Sequence, residues 1–388
     1  VQNTKLKGLY LTALFYTENV DYEKTLKSFV DETRGNFAGI IDIALGLRDK
    51  KSIQTYILPE VKRKFNDELE NLELTQKNEL LSILSLGGEV TLILEIIKNI
   101  SDVKKLNRYI IKEIYDSTFA ICNKEFIAHN KGLIKSQELD ASEQIADRFL
   151  EANGLRREFL QIKYLCAGAK EKRFSLLKYA KELFEITNED GLARNIISML
   201  SERNETDYNA YAPYFKVLSS STKPDYCMAV ASAMLRLGKT EEADLYAYKA
   251  LYYLNDTEDY EIYKSYLGYY NQNLNRYHDK REIQRVRGNS VVILEESTPV
   301  DAKNPVIMTL CLYSESEFSD INNRSMEVEH VPSNHPLFLK LQGSGLKQIL
   351  KIDGINYRIK EIHSRTDFAA SFIFKKINQY PEKFNGAV

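Results

Sequence analysis

Tryptophan is absent from this 388-residue chain, and histidine, methionine and proline are scarce at five, five and eight residues. The formal charge is only −2 and the isoelectric point about 6.3. A near-neutral balance gives no global pull toward nucleic acid or an anionic membrane surface. No apolar run reaches the roughly 20 residues that a membrane span needs; the stretch Phe37 to Leu47 is short and contains Asp42. The four cysteines, Cys122, Cys166, Cys227 and Cys311, are far apart and none belongs to a CxxC pair. That spacing speaks against a zinc site or a disulfide framework and for free buried thiols, as in a reducing cytoplasm. No signal peptide opens the chain, and its start on Val rather than Met reads as a portion excised from a longer protein. Catalytic signatures are lacking too: there is no P-loop, GxGxxG, HExxH or Gly-x-Ser-x-Gly elbow. No catalytic residue, cofactor or metal is therefore assigned.

What the chain does have is helical periodicity, then an abrupt change of period. Hydrophobic residues make up 44% and include 25 Tyr and 17 Phe, enough for a sizeable core. Residues 1–153 read as helical hairpins: Ile83, Leu86, Val90, Leu94 and Ile97 recur at helical spacing, and Gly87-Gly88 divides two antiparallel pieces. Ser101-Asp102 reads as an N-cap and Pro59 as a helix start.

Residues 154–277 carry a period. Leu237-Gly238-Lys239-Thr240-Glu241-Glu242-Ala243, followed by Ala247 and Ala250-Leu251, resembles a tetratricopeptide unit over about Pro224 to Thr257, with Asn255 in place of the usual Pro. Gly168, with Leu177 and Ala180, echoes the spacing 70 residues upstream, about two 34-residue units, and Asn204 marks the unit between. One hairpin cannot bury its own apolar stripe, but stacked hairpins can, and they leave a groove. Asp225, Met228, Ser232, Leu235 and Arg236 on the first helix of the clearest unit are the candidate groove residues. The tyrosines between Tyr246 and Tyr270 read chiefly as inter-repeat packing; a base-stacking platform is the sharper alternative.

A basic connector, 278–287, follows, with Arg281, Arg285 and Arg287 as candidate nucleic-acid contacts. From Gly288 the period drops to two. Strands are expected at Ser290–Leu294, Val306–Tyr313, Met326–Val331, Ile349–Ile352 and Ile355–Ile362, with a polar loop around Glu315, Glu317 and Asp320. Ser371 to Ile377 reads as a last strand or short helix, and 377–388 as a tail. His330 and His335 read as surface histidines.

Several residues of this β-rich segment, 288–376, match a family pattern: Gly288-Asn289-Ser290-Val291, then Ser333, Pro336, Leu337, Leu341, Gly343, Ile349, Leu350, Ile352, Tyr357, Ile359 and Ile362. The segment is similar to the C-terminal domain of the bacterial transcript-cleavage factors GreA and GreB, which has an FKBP-like fold. The pattern departs at Asn334-His335, inserted before the proline, and at Phe338, which replaces the turn glycine. The resemblance implies a partner-binding turn at Ser333, Pro336, Leu337 and Gly343, with RNA polymerase as a candidate partner. It implies no transcript cleavage, because that work belongs to an acidic coiled coil not seen here. Helical repeats with such a domain also resemble larger bacterial proteins carrying a PIN nuclease domain. The expected architecture is multidomain: a tetratricopeptide-like helical solenoid, then a small FKBP/Gre-C-like β-rich domain. The expected function is a non-enzymatic, cytoplasmic protein–protein adaptor. The alternatives are the RNA-binding or regulatory portion of a larger nuclease and, by fold analogy alone, a peptidyl-prolyl isomerase.

Overall fold

The computed structural model describes residues 3–47, 49–129, 136–152, 156–254, 260–273, 285–297, 305–314 and 326–384. Glu315, Glu317, Asp320, Asn255, Arg281 and most of the basic connector lie outside that set. No described helix is long and apolar enough to cross a membrane. The chain is helical first and ends in a curled five-stranded sheet, the change of class that the switch of hydrophobic period marks. It divides into two compact units, 1–187 and 188–388.

The first unit is all helix. α1 (Thr4–Tyr16), α2 (Tyr22–Thr33) and α3 (Phe37–Gly46) pack at the amino end. α1 and α3 cross where Gly8 meets Gly46; a Cβ on either would drive into the other's backbone, so only glycine permits the approach. The next helical run starts at Asp49, whose carboxylate accepts from the Lys51 and Ser52 amides, and not at Pro59 as its sequence suggests. α4 (Lys50–Ser52) passes through a widened π turn, Ile53–Ile57, into α5 (Leu58–Glu68). Proline can neither donate to the preceding turn nor tolerate its carbonyl, and the wide turn directly ahead accommodates it.

α6 (Leu74–Gly87) and α7 (Val90–Lys98) are separated at Gly88, as the Gly-Gly pair predicts. α8 (Arg108–His129), α9 (Ser136–Glu151), α10 (Arg156–Ala169) and α11 (Arg173–Thr187) complete the unit around a core that includes Leu80, Ile93, Ile114, Ile145 and Phe159. Across α9 and α10, Lys163 pairs with Glu143 and Asp147, and Lys170 with Asp140 and Glu143. Burial alone would raise the Glu143 carboxyl, but Lys170 and Lys163 outweigh it and bring it to about 2.

The second unit opens with α12 (Asp190–Glu202), α13 (Tyr208–Leu218), α14 (Pro224–Arg236), α15 (Thr240–Tyr252) and α16 (Tyr260–Gln272). α12 lies along α14 and α14 along α16, while α13 and α15 pair with the helices before them. A recurring feature closes the hairpins of both units. Glu171, Asn204 and Gly238 each adopt a left-handed conformation, 33 and 34 residues apart. At each, the same two backbone bonds close the preceding helix, as in Lys239 N to Met234 O and Gly238 N to Leu235 O. Gly168, by contrast, lies inside α10, where a Cβ would strike the Phe126 ring. The turn position of that hairpin is Glu171.

The sheet has the order β3-β2-β1-β5-β4. β1 (Ser290–Glu296) pairs antiparallel with β2 (Ile307–Tyr313) and with β5 (Ile355–Ser364), and β4 (Ile349–Ile352) forms a hairpin with β5. Asp353 and Gly354, both with positive φ, make its two-residue turn. β3 (Glu329–Pro332) joins β2 in parallel. Alternation along the strands creates two apolar faces. Val292, Leu294, Leu310, Leu312 and Ile359 meet Phe338 and Leu341 of the short helix α17 (Pro336–Leu341). The opposite face carries Val291, Cys311 and His330, and beside it lies α18 (Arg365–Gln379), where the sequence leaves strand or short helix open. α18 also packs on α15 and α16, so these helices and the sheet meet through it.

The left-handed turns give a stability test by urea unfolding. A non-glycine residue there costs about 1–2 kcal/mol. Glu171→Gly should therefore raise stability by about 0.5–1 kcal/mol, after the extra unfolded-state freedom of glycine is deducted, and Gly238→Ala should lower it by about 1 kcal/mol. Equal and opposite-signed shifts to these would show that the turns are not left-handed.

Candidate partner-binding surfaces

Residues 333–343 fold as a capped helical plug. The His335 Nδ1 accepts from the Leu337 amide at 3.2 Å, and Pro336 occupies the first turn, where its missing N–H costs nothing. Phe338 and Leu341 point into the sheet core. Past the helix, Gly343 N donates to Val286 O and Val286 N to Ser344 O, both at 2.9 Å, so the segment before β1 clamps the plug. Of the four turn residues expected to bind a partner, Pro336 and Gly343 are exposed, and Ser333 and Leu337 are half-buried. The inserted His335 is thus a helix cap, and Phe338, in place of a glycine, is a core residue.

Around this plug the surface is more apolar than the motif alone indicates. Leu339 is 67% exposed, and Leu346, Ile349 and Ile355 are also open to solvent. α17 is tied to β4 by Lys340 Nζ, which donates to Lys351 O at 3.4 Å. β4 is an edge of the sheet. An edge strand presents unpaired main-chain groups that can take a further strand.

On the sheet's other face, α18 covers only part of the strands. Beside it runs a cavity of about 320 Å3 between Ile293, Ile307, Thr309 and Glu361 of the sheet and Phe368, Phe372 and Lys375 of the helix. Its lining mixes apolar side chains with charged ones. Glu327, left-handed with φ 56°, also borders it. This groove is absent from the sequence pattern because it exists only where one helix lies beside strands β1, β2 and β5.

The repeat candidates separate by face. Asp225, Ser232 and Arg236 are exposed on α14, Leu235 is half-buried, and Met228 is buried and unavailable to a partner. Arg236 donates to Asn204 Oδ1 at 3.0 Å, linking one hairpin turn to the next first helix. Arg285 and Arg287 are exposed; Arg285 bridges to Gly345, and the Arg287 amide donates to Ser290 Oγ.

The tyrosines between Tyr246 and Tyr270 are mostly buried, among them Tyr248, Tyr252, Tyr263, Tyr266 and Tyr269, so no base can stack on these rings. Tyr266 donates to Thr366 O at 3.1 Å and Tyr270 to Asp367 Oδ1 at 3.4 Å. At the centre of this seam is His330, which the sequence suggests is on the surface. It is buried because β3 turns it onto the α18 side, opposite Val331. The Tyr248 hydroxyl and His330 Nε2 are 3.0 Å apart, and the Tyr252 ring stands edge-on at 4.6 Å. Burial, and then the Arg365 charge, pull the imidazole pKa from 6.5 to about 4, against an opposing backbone hydrogen bond at Val328. No group of three His, Cys, Asp or Glu among the described residues could hold a metal ion.

No protein-family model matches the chain, and neither the curated proteins nor the solved structures contain one detectably similar to it.

His330 sets a pH dependence. Below pH 6.5 the unfolded chain takes up its proton, while the folded chain does so only near pH 4. Stability conferred by the neutral ring is therefore complete above pH 6.5 and lost as pH falls toward 4, by about 3 kcal/mol in total. Urea unfolding across that range should show wild type losing this much more stability than His330→Gln. Parallel pH profiles would contradict it.

Proposed function

We propose that the protein is a non-enzymatic adaptor that engages one partner along its helical hairpins and another at the end of its sheet. The observation that carries the reading is the apolar surface at the α17–β4 edge. Leu339, Leu346 and Ile349 are exposed beside an edge strand, and grouped apolar side chains of that kind mark interaction sites. The Gre-C-like reading of the sheet draws support from the proline-led helix, its two core side chains, and the tight hairpin that follows. That reading makes RNA polymerase the first partner to test.

The tetratricopeptide-like solenoid reading draws support from the identical turns at Glu171, Asn204 and Gly238. It draws support too from the adjacent first helices α12, α14 and α16. In that reading Asp225, Ser232 and Arg236 line the groove. Bridging needs no bond-breaking chemistry, only two surfaces held by one rigid body.

Immobilised chain, washed at moderate salt, tests the proposal against purified RNA polymerase and against lysate. The account expects a protein to be retained, and Leu339→Asp with Ile349→Asp to reduce its capture at least about tenfold, since two charges would have to be desolvated on binding. Both residues are exposed, so the thermal midpoint should be unchanged. Retention of nothing, or of the same protein by the double variant, would overturn the proposal.

A further inference from the structure

The first unit holds a cavity that the adaptor reading does not use. It measures about 400 Å3, lies where the start of α8 meets the start of α10, and is lined by Arg108, Tyr109, Lys112, Tyr115 and Glu158. Its walls are built firmly. Asn107 Oδ1 accepts from the Tyr109 amide at 2.9 Å and fixes the first turn of α8. Arg108 and Lys112 are four apart and share a helix face. Tyr115 is held by its hydroxyl, which donates to Gln161 Oε1 at 3.0 Å, and by the rings of Phe119 and Phe159 at 5.6 and 6.2 Å. Tyr109 is 80% exposed, a large ring facing water.

The charges here are unspent. Among the described residues the side chains of Arg108, Lys112 and Glu158 make no hydrogen bond or ion pair, whereas Lys7, Lys62, Lys98, Lys163 and Lys170 of the same unit each pair with a carboxylate. Two exposed lysines, Lys104 and Lys105, precede the cavity. Two free cations beside two tyrosine rings fit a ligand that carries both an aromatic ring and phosphates. The carboxylate narrows the class. An acidic peptide would be repelled by Glu158, but a nucleobase with adjacent N–H donors would be held by it. Guanine presents two such donors, N1–H and the exocyclic amine, side by side, matching the two carboxylate oxygens. Adenine sets an acceptor next to its amine, and uracil has a single N–H between carbonyls.

We propose that this cavity binds a guanine nucleotide unit of single-stranded nucleic acid, the base between Tyr109 and Tyr115, the Watson–Crick edge on Glu158, and the flanking phosphates on Arg108 and Lys112. The site involves neither the buried tyrosines of the second unit nor the α17–β4 edge, so it stands or falls independently of the adaptor reading.

Fluorescence anisotropy of the full chain with labelled heptamers UUUGUUU, UUUAUUU and UUUUUUU, as RNA and as DNA, tests it at 50 and 150 mM salt. The guanine heptamer should bind at least about fivefold tighter than the other two. Tyr109→Ala should weaken it by about tenfold, while Tyr109→Phe, which keeps the ring, should bind like wild type. Arg108→Ala with Lys112→Ala should reduce the slope of log affinity against log salt by about 1.4, the value for two single-strand phosphates. Glu158→Gln should abolish the guanine preference without weakening UUUUUUU. Absence of binding at millimolar protein, or binding indifferent to Tyr109→Ala and to the double variant, would overturn the site. Binding without guanine preference would overturn the base assignment. Tighter RNA than DNA binding would identify RNA as the source, and equal affinity a reader of bases and phosphates alone.

Discussion

A five-stranded sheet with apolar side chains on both faces must have both faces covered, and this constraint organises the carboxyl-terminal unit. One face is satisfied locally, by Phe338 and Leu341 of α17. The other cannot be covered from within the strands. α18 and the repeat-like helices α15 and α16 do so, and the tyrosine-rich composition of those helices follows from the task. A tyrosine ring fills as much apolar space as a phenylalanine while its hydroxyl finds a polar partner. Tyr266 satisfies the Thr366 carbonyl, Tyr270 the Asp367 carboxylate and Tyr248 the His330 ring. In a chain without tryptophan, these residues do the work of large aromatic packing with a polar tip.

The same seam decides which surfaces stay accessible. Cover from α18 ends partway across the sheet, so the groove beside Phe368 and Phe372 remains, and β4 stays open at the edge. Those are the parts of the sheet that a partner can reach. The helices α12 and α14 stand away from the seam, which leaves Asp225, Ser232 and Arg236 exposed. This junction lies between two kinds of accessible surface, and a neutral buried histidine at its centre makes it sensitive to acid.

Much of this architecture could be read from the residues alone, because it follows from local pattern. The strands show as period-two alternation and the α6–α7 break as Gly87-Gly88, whereas Ser333, Pro336, Leu337 and Gly343 read as a turn and the structure has a short helix at Pro336–Leu341. What the residues do not show depends on contacts between distant segments or on backbone angles. His330 looks like a surface histidine because alternation says which side it takes but not what lies there. Glu171 occupies a left-handed turn that favours glycine, so the nearby Gly168, which belongs to a helix, looks like the turn residue. Pro59 looks like a start because the π turn that accommodates it leaves no mark in composition. Met228 reads as a groove residue until the neighbouring helix buries it. The Arg108–Tyr109–Lys112 cavity leaves no local pattern, because Glu158, which also lines it, lies on another helix.

The central claim is that strands and repeat-like helices of residues 188–388 form one cooperative body. Native-state hydrogen exchange on the full chain tests it most directly, by comparing amides of Val291, Val292 and Leu310–Leu312 with those of Tyr248–Leu251 and Tyr263–Leu267. The account predicts one shared opening free energy for all of them, lowered together by roughly 3–5 kcal/mol in Tyr266→Ala. Strands that open at markedly lower free energy than α15 and α16, or a Tyr266→Ala effect confined to the helices, would contradict it.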